Sequence, residues 1–166
     1  MGQINTQGKQ VYLIYFDEVK PNKKFGNVHY ITAGLCVPPD LVGPAEELVS
    51  GVAEELFGSR ELTEETEVHS KDIYYGKKNA FGKSIEERAN AISTCLRFIA
   101  ENERIKRVYS AINEDNLIAD INSASHSFMH FVERASGAIG KSTFGFLIGD
   151  LDKDTKAEMI SDFLKF

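Results

Sequence analysis

The stretch VYLIYFD, residues 11–17, decides the fold, because six consecutive apolar residues run directly into an aspartate. A continuous apolar run of this length is typical of a β-strand that is buried on both faces of a sheet. Turn residues follow in KPNKKFGN, and the next stretch, VHYITAGLCV, alternates onto one face at Ile31, Ala33, Leu35 and Val37. The two stretches predict an antiparallel hairpin at the start of the chain.

Helical spacing of apolar residues predicts four helices after this hairpin. Three of them cover residues 44–57, 128–139 and 155–164, and Gly58 ends the first. A further helix begins at Ser84, where the sequence has a capping-box pattern. Its predicted apolar stripe consists of Ile85, Ala89, Ile92, Leu96 and Ile99.

Two more strands are predicted, RVYSAI at residues 107–112 and FGFLIG at residues 144–149. The order of strands and helices is then β-β-α-α-β-α-β-α. This order indicates an α/β sheet that starts antiparallel and continues through crossovers. With 166 residues the chain is expected to form a single domain, residues 1–166.

Composition narrows the class of protein. The chain is 42% hydrophobic and 27% charged, which is typical of a globular protein, and it has no apolar run near the ~20 residues of a membrane span. We therefore expect a cytoplasmic protein without a membrane partner. Cys36 and Cys95 are expected to be reduced core residues. The net charge of −6 argues against nucleic-acid binding through the whole surface, but it is compatible with an acidic metal site.

Acidic residues follow two of the predicted strands. Asp17 ends the first strand and Asp150 the last, and the segment EVHSKDI places Glu67, His69 and Asp72 within six residues of each other. In α/β sheets the strand ends on one edge line the ligand crevice, and carboxylates there suit Mg²⁺ or Mn²⁺. A histidine beside them can transfer a proton or position a water.

Each of these features also has a simpler interpretation. An aspartate at a strand end is often a turn or capping residue, and an acidic loop is usually just solvated. His126 and His130, four residues apart, either bind a metal or, as we expect, serve helix packing or capping. Two groups of residues are candidates for contact with nucleic acid. The lysines Lys20, Lys23 and Lys24 either contact phosphates or belong to a solvated turn. Tyr74 and Tyr75 either stack on bases or pack in a core or an interface.

Taken together, YLIYFDE, ITAGLCV, EVHSKDI and FLIGDLDKD resemble the family called domain of unknown function 3800. Its members look like ribonuclease-H-superfamily proteins, with a first strand ending Asp-Glu-Ser-Gly, a Glu-Leu-His-x-x-Asp segment and a late strand ending in Asp. The resemblance runs in order over residues 11–164. It implies a ribonuclease H-like mixed sheet with an N-terminal antiparallel hairpin and helices on both faces.

The resemblance also implies a site and an activity. Asp17, Glu67 and Asp150 would hold Mg²⁺ or Mn²⁺, and His69 and Asp72 would complete a catalytic set. The implied function is a metal-dependent phosphodiesterase, most naturally a nuclease, with nucleic acid as the possible partner. The alternative is a non-catalytic interaction or dimerisation module of the same fold, forming a homodimer and carrying an incomplete site.

Two departures from the family pattern bear on that choice. Val19 and Lys20 stand where the family usually has Ser-Gly after the first Asp-Glu pair. Family members also usually continue into a further segment with an Ala-Asp pair, whereas this chain stops at Phe166. The resemblance therefore leads us to expect a chain that is truncated at its C-terminus. A third possibility is an apolar surface that a missing segment or a partner covers.

Overall fold

The computed structural model describes residues 10–118 and 121–149. The described chain divides into two compact units: the first contains residues up to Pro38 and from Ile105 onward, and the second contains Pro39–Arg104. That the two units together form a single domain stays a prediction. In chain order the helices and strands are β1 Val11–Val19, β2 His29–Val37, α1 Val42–Phe57, α2 Ser70–Tyr75, α3 Ile85–Glu101, β3 Lys106–Asn113, α4 Ser123–Ile139 and β4 Phe144–Gly149.

The first unit is built on a four-stranded mixed sheet with the order β3-β2-β1-β4. β1 pairs antiparallel with β2, β2 pairs antiparallel with β3, and β4 pairs parallel with β1. The predicted N-terminal hairpin and the α/β class are therefore confirmed. The helix predicted over residues 155–164 lies outside the described residues, as does Asp150.

The core of the first unit lies between α4 and one face of the sheet. Tyr12 and Ile14 of β1 pack there against Phe128 and Phe131 of α4, and Phe131 is completely buried. Gly34 of β2 permits this approach, because a Cβ at that position would lie 2.9 Å from Cζ of Phe131 and 2.3 Å from a backbone oxygen of β1. The close contact explains why the middle of β2 lacks a side chain.

The opposite face of this sheet is largely open. Tyr15 of β1 alternates with the buried Tyr12 and Ile14, and it is 37% exposed. The prediction that the first strand is buried on both faces was therefore wrong. An unbroken apolar run hides the period-2 alternation that would have distinguished the two faces.

The second unit packs three helices around a separate core. Val52 and Leu56 of α1, Ile73 of α2 and Ala91 of α3 are all buried there. Gly58 ends α1 in the left-handed region at φ +80°, as its position predicts.

The N-terminus of α3 also follows its prediction. Ser84 Oγ accepts from the backbone N–H of Glu87 at 3.1 Å, and the Glu87 carboxylate accepts from the N–H of Ser84 at 2.7 Å. The predicted apolar stripe of α3 was partly wrong, because Ile85 and Leu96 are exposed. The buried face is instead the one around Ala91, Ile92 and Cys95.

Two predictions from composition concern cysteines and membranes. Cys36 is buried and Cys95 half-buried, both are free thiols, and burial raises the pKa of each. Over residues 10–118 and 121–149, no helix combines the length and the apolar character that crossing a membrane requires.

Candidate functional site

The segment EVHSKDI contains the N-terminus of α2, a short helix that was not among the predicted helices. His69 has an extended backbone, φ −86° and ψ 107°, and its carbonyl oxygen accepts from the N–H of Ile73 at 3.0 Å. Ile73 is 1% exposed and anchors the helix to the core of the second unit. Gly76, at φ +61°, then ends the helix after six residues.

Asp72 is the centre of the polar contacts on α2. Its Oδ2 lies 2.9 Å from Nδ1 of His69 and 2.9 Å from Nζ of Lys78. The hydrogen bond from Lys78, supported by the one from His69, holds the pKa of Asp72 below its usual range. An ionised carboxylate only accepts hydrogen bonds, so Nδ1 of His69 carries a hydrogen and Nε2 points away from Asp72.

Lys78 is held by the same carboxylate. The hydrogen bond to Asp72 and the charge of that group raise the pKa of Lys78, and the charges of Glu67 and Glu64 act in the same direction. Lys78 also has an unusual backbone, because it is the one non-glycine residue with positive φ, 48°, among those that the structure describes. These interactions favour the charged form of Lys78.

These groups line a cleft of about 380 Å³ in the second unit, which we call the acidic cleft. One wall carries the glutamates of the loop before α2, and Asn79 fastens that loop by donating to the carbonyl oxygen of Glu64 at 3.0 Å. The lining residues are Phe57, Glu64, Glu65, Glu67, His69, Asp72, Ile73, Lys78, Asn79 and Ala80. Three of the five predicted catalytic residues, Glu67, His69 and Asp72, thus share one cleft.

Arg88 of α3 fixes the opposite end of α2. Its Nη1 donates to the carbonyl oxygens of Ile73 at 3.0 Å and Tyr74 at 2.6 Å, where a helix has carbonyls without helical partners. A positive charge there also suits the helix dipole. α2 is therefore held at both ends, which limits how far Asp72 can move.

Asp17 belongs to the first unit and does not end its strand. β1 continues to Val19, and Asp17 pairs with Ala33 of β2 on the open face of the sheet. Its Oδ1 accepts from the N–H of Glu18 at 2.8 Å, and its side chain is exposed. The prediction that Asp17 ends the strand was wrong by two residues, because Glu18 and Val19 still pair with β2.

The predicted metal set stays a prediction. Within residues 10–118 and 121–149, no group of three or more His, Cys, Asp or Glu side chains is arranged to hold a metal ion. Asp17 lies in the first unit, Glu67 lies in the second, and Asp150 falls outside the described residues. The chemistry of the three carboxylates fits Mg²⁺ or Mn²⁺, which prefer oxygen ligands.

The remaining candidates have identified surroundings. His126 and His130 lie edge to face on α4 with ring centroids 6.0 Å apart, and Nδ1 of His130 is 3.2 Å from Glu133. In the hairpin, Lys23 pairs with Asp115 at 3.2 Å.

Tyr74 and Tyr75 turn away from the protein. Their side chains are 68% and 60% exposed, so the alternative that they pack in a core does not hold.

Lys78 is the site residue that sequence analysis missed. It stands six residues after Asp72, a spacing that is not a neighbouring one on a helix, and only the turn at Gly76 returns the chain to the carboxylate. The signal in the sequence that could have identified Lys78 is its position two residues after Gly76, the glycine that ends the helix carrying Asp72.

No family model, curated protein or solved structure matches this chain. The resemblance to domain of unknown function 3800 therefore rests on the motifs themselves. What the structure adds is the mixed α/β sheet and the acidic cleft.

Proposed function

We propose that this protein is a divalent-metal-dependent phosphodiesterase, and specifically a nuclease, with a ribonuclease H-like fold. The observation that carries the proposal is the parallel register of β1 and β4, which pairs Phe16 with Gly149. The next residues along these two chain segments are Asp17 and Asp150. The proposal takes this parallel run of β1 and β4 toward the two aspartates as one side of a ligand site, since α/β proteins bind ligands where parallel strands end.

The described sheet is compatible with the proposed fold. Its first three strands are antiparallel, and after α4 the chain returns in β4 parallel to β1. Fold kinship alone does not determine chemistry, so the activity rests on the acids and on His69.

The proposal assigns Asp17, Glu67 and Asp150 as metal ligands. A bound divalent ion supplies charge neutralisation at the phosphate and lowers the pKa of its water. The contribution of the chain's own carboxylates is to provide hard oxygen ligands, which repel one another until a cation binds.

His69 is the proton-transferring residue in this proposal. Its Nδ1–H donates to Asp72, so Nε2 is the atom that exchanges protons with substrate or water. During hydrolysis water forms a new P–O bond and releases a proton to solvent, the P–O bond to the leaving oxygen breaks, and the proton on Nε2 passes to that leaving oxygen. Nε2 then regains a proton from solvent. Asp72, tied to Lys78, keeps the imidazole in the required orientation.

The first experiment measures thermal unfolding with Mg²⁺ or Mn²⁺ for the wild type, Asp17→Asn and Asp150→Asn. At about a hundredfold excess over Kd, one site raises the unfolding free energy by about 2.7 kcal/mol and Tm by about 5–10 °C. We expect both variants to lose this increase. Asp115→Asn is the matched control, since it removes an exposed acid of the first unit whose carboxylate pairs with Lys23.

The outcomes separate clearly. Loss of the metal response in both variants, together with Mn²⁺-dependent hydrolysis of bis(p-nitrophenyl) phosphate by the wild type, supports the proposal. A wild-type protein without any metal response contradicts it. An equal loss in Asp115→Asn contradicts the assignment of Asp17 and Asp150.

A second candidate, the homodimerisation module, is favoured by the open face of the sheet. Phe144, Phe146 and Ile148 of β4 are 51%, 60% and 41% exposed. Tyr15 of β1 and Tyr109 of β3 lie on the same face, opposite to the one that α4 covers. A row of large apolar side chains across a sheet is typical of a surface that another chain buries.

This candidate is tested by the oligomeric state. It predicts a wild-type dimer in light scattering and a monomer for Phe146→Ser. Phe25→Ser serves as the control, because Phe25 is 80% exposed on the hairpin turn and is absent from that face. A wild type that remains monomeric at high concentration contradicts the dimer.

A further inference from the structure

The segment from Lys71 to Lys83 presents lysines and aromatic rings together on the surface of the second unit. It contains four lysines against a single aspartate, although the whole chain has a net charge of −6. The segment from Glu61 to Glu67, which is separated from it by three residues, contains four glutamates and no lysine or arginine. Charge is therefore separated along this part of the chain, with a basic surface next to the acidic cleft.

The aromatic side chains of this segment are exposed for a structural reason. Ile73 of α2 is the residue that enters the core, so its neighbours Tyr74 and Tyr75 project outward. Phe81, beyond the turn that contains Lys78, is 82% exposed. Together with Lys71, Lys77 and Lys83, these three rings form what we call the basic aromatic surface.

The two tyrosines are held in a defined arrangement. Their rings meet edge to face at 89°, with centroids 5.0 Å apart, and Nζ of Lys77 lies 5.4 Å from the centroid of Tyr75. Arg88 binds the carbonyl oxygen of Tyr74, which fixes the backbone beneath the pair. A rigid aromatic platform loses little conformational entropy when a ligand stacks on it.

A groove of about 340 Å³ begins at Tyr74 and is lined by Ile85, Arg88, Ala89 and Ile92. Its apolar walls suit the flat face of a nucleobase, and the lysines of the Lys71–Lys83 segment, of which Lys77 lies over the Tyr75 ring, suit phosphates. Proteins that bind single strands combine these two features, because every base has a face that can stack and every nucleotide carries one negative charge. In a duplex the base faces are already stacked on one another, so they are closed to this platform.

We infer that the basic aromatic surface binds single-stranded nucleic acid by stacking bases on Tyr74 and Tyr75 and pairing phosphates with Lys71, Lys77 and Lys83. The inference rests on the proposed function, whose substrate class it names. The two surfaces share one helix, because α2 carries Asp72, which lines the acidic cleft, and also the two tyrosines.

The test is fluorescence anisotropy with labelled oligo(dT) and oligo(U), in EDTA so that metal-dependent hydrolysis cannot contribute. Each ring that stacks on a base contributes about fivefold or more to affinity, so Tyr74→Ala/Tyr75→Ala should weaken binding by at least about twentyfold. Tyr74→Phe/Tyr75→Phe retains the rings and should retain affinity. Thermal unfolding of each variant verifies that the fold is unchanged.

Phe25→Ala is the matched control, because Phe25 is even more exposed than the two tyrosines and has Nζ of Lys24 at 6.0 Å from its ring centroid, but lies in the first unit. Its affinity should equal that of the wild type. Absence of oligonucleotide binding, tighter binding to a duplex of the same length, or an equal loss in Phe25→Ala would each overturn the inference.

Salt dependence tests the lysines separately. Each phosphate contact to a single strand contributes about 0.7 to the slope of log Kd against log salt, so Lys71→Ala/Lys77→Ala/Lys83→Ala should reduce the slope by about 2. Lys141→Ala, which removes an exposed lysine of the first unit, should leave the slope unchanged. An unchanged slope in the triple variant overturns the assignment of these lysines.

Failure of this inference can be distinguished from failure of the proposed function. Oligonucleotide binding in EDTA without any hydrolysis in Mn²⁺ removes the proposed activity and leaves the binding surface. Hydrolysis of bis(p-nitrophenyl) phosphate without oligonucleotide binding removes the surface and leaves the activity.

Discussion

The chain contains two histidines that each contact an acid three residues later, and their surroundings differ sharply. His69 lies 2.9 Å from Asp72, and His130 lies 3.2 Å from Glu133. The two histidines are equally accessible, with side chains 46% and 45% exposed. The acids are not, since the side chain of Asp72 is 16% exposed and that of Glu133 is 66% exposed.

The difference in exposure between Asp72 and Glu133 indicates why the first His–carboxylate pair is a candidate site and the second is not. Glu133 projects from the middle of α4, where solvent competes for its hydrogen bonds. Asp72 is largely enclosed at the start of α2 and contacts both His69 and Lys78, so two partners orient its carboxylate. A carboxylate that is enclosed and has a second partner can orient a histidine for acid–base catalysis, which the exposed Glu133 is less able to do.

The largest expected effect comes from replacing the two histidines. His69→Gln should lower metal-dependent hydrolysis of a phosphodiester by about 10²- to 10⁴-fold, the usual contribution of general acid–base catalysis. His130→Gln should leave the rate within about twofold of the wild type, since surface pairs contribute little. Initial rates in Mn²⁺ measure both. Equal rates for the two variants would show that the pairs do not differ functionally.

Replacing the acids should have a smaller effect. Asp72→Asn removes the carboxylate that orients His69, and we expect a loss of at least about tenfold in kcat with little change in KM. Glu133→Gln should alter neither constant. Steady-state kinetics separate the two parameters, and a loss in KM alone for Asp72→Asn would argue against a positioning role.

Changes in the turn that brings Lys78 to Asp72 are expected to lower the free energy of unfolding. An alanine at Gly76 must adopt φ +61°, and its Cβ would lie 3.1 Å from Nη1 of Arg88. An alanine at Gly58 has the same backbone requirement, at φ +80°, but open space around it. Urea unfolding should show a loss of about 1 kcal/mol for Gly58→Ala and a larger loss for Gly76→Ala. Equal losses would mean that the Arg88 side chain moves away from the new Cβ without any loss of stability.

The smallest expected effect is the pH dependence of the Asp72 interaction. Because the pKa of Asp72 is lowered in the folded protein, its stabilising contribution is complete above the pKa of the unfolded chain, about 4. That contribution is lost as pH falls through the lower folded pKa. The difference in Tm between wild type and Asp72→Asn should therefore be present at neutral pH and vanish near pH ~2. A difference that persists there would point to packing instead of charge.

Much of the local structure is predictable from the sequence, because its signals lie close together along the chain. The hairpin follows from the two apolar strands and the turn residues between them. The end of α1 follows from Gly58, and the start of α3 follows from Ser84 and Glu87. Of the site, Glu67, His69 and Asp72 were identified from one segment of seven residues.

The tertiary structure alone decided which faces are buried and which distant groups meet. α4 covers one side of β1 and leaves Tyr15 open, and α3 turns Ala91 inward while Ile85 remains exposed. These outcomes depend on the partner element, most clearly in β1, where apolar residues occupy both faces of the strand. The contact of Lys78 with Asp72 also depends on the fold, because the turn at Gly76 brings the lysine back to the carboxylate. Tyr74 is exposed because the neighbouring Ile73 is the residue that packs into the core. The residue types alone predict neither outcome.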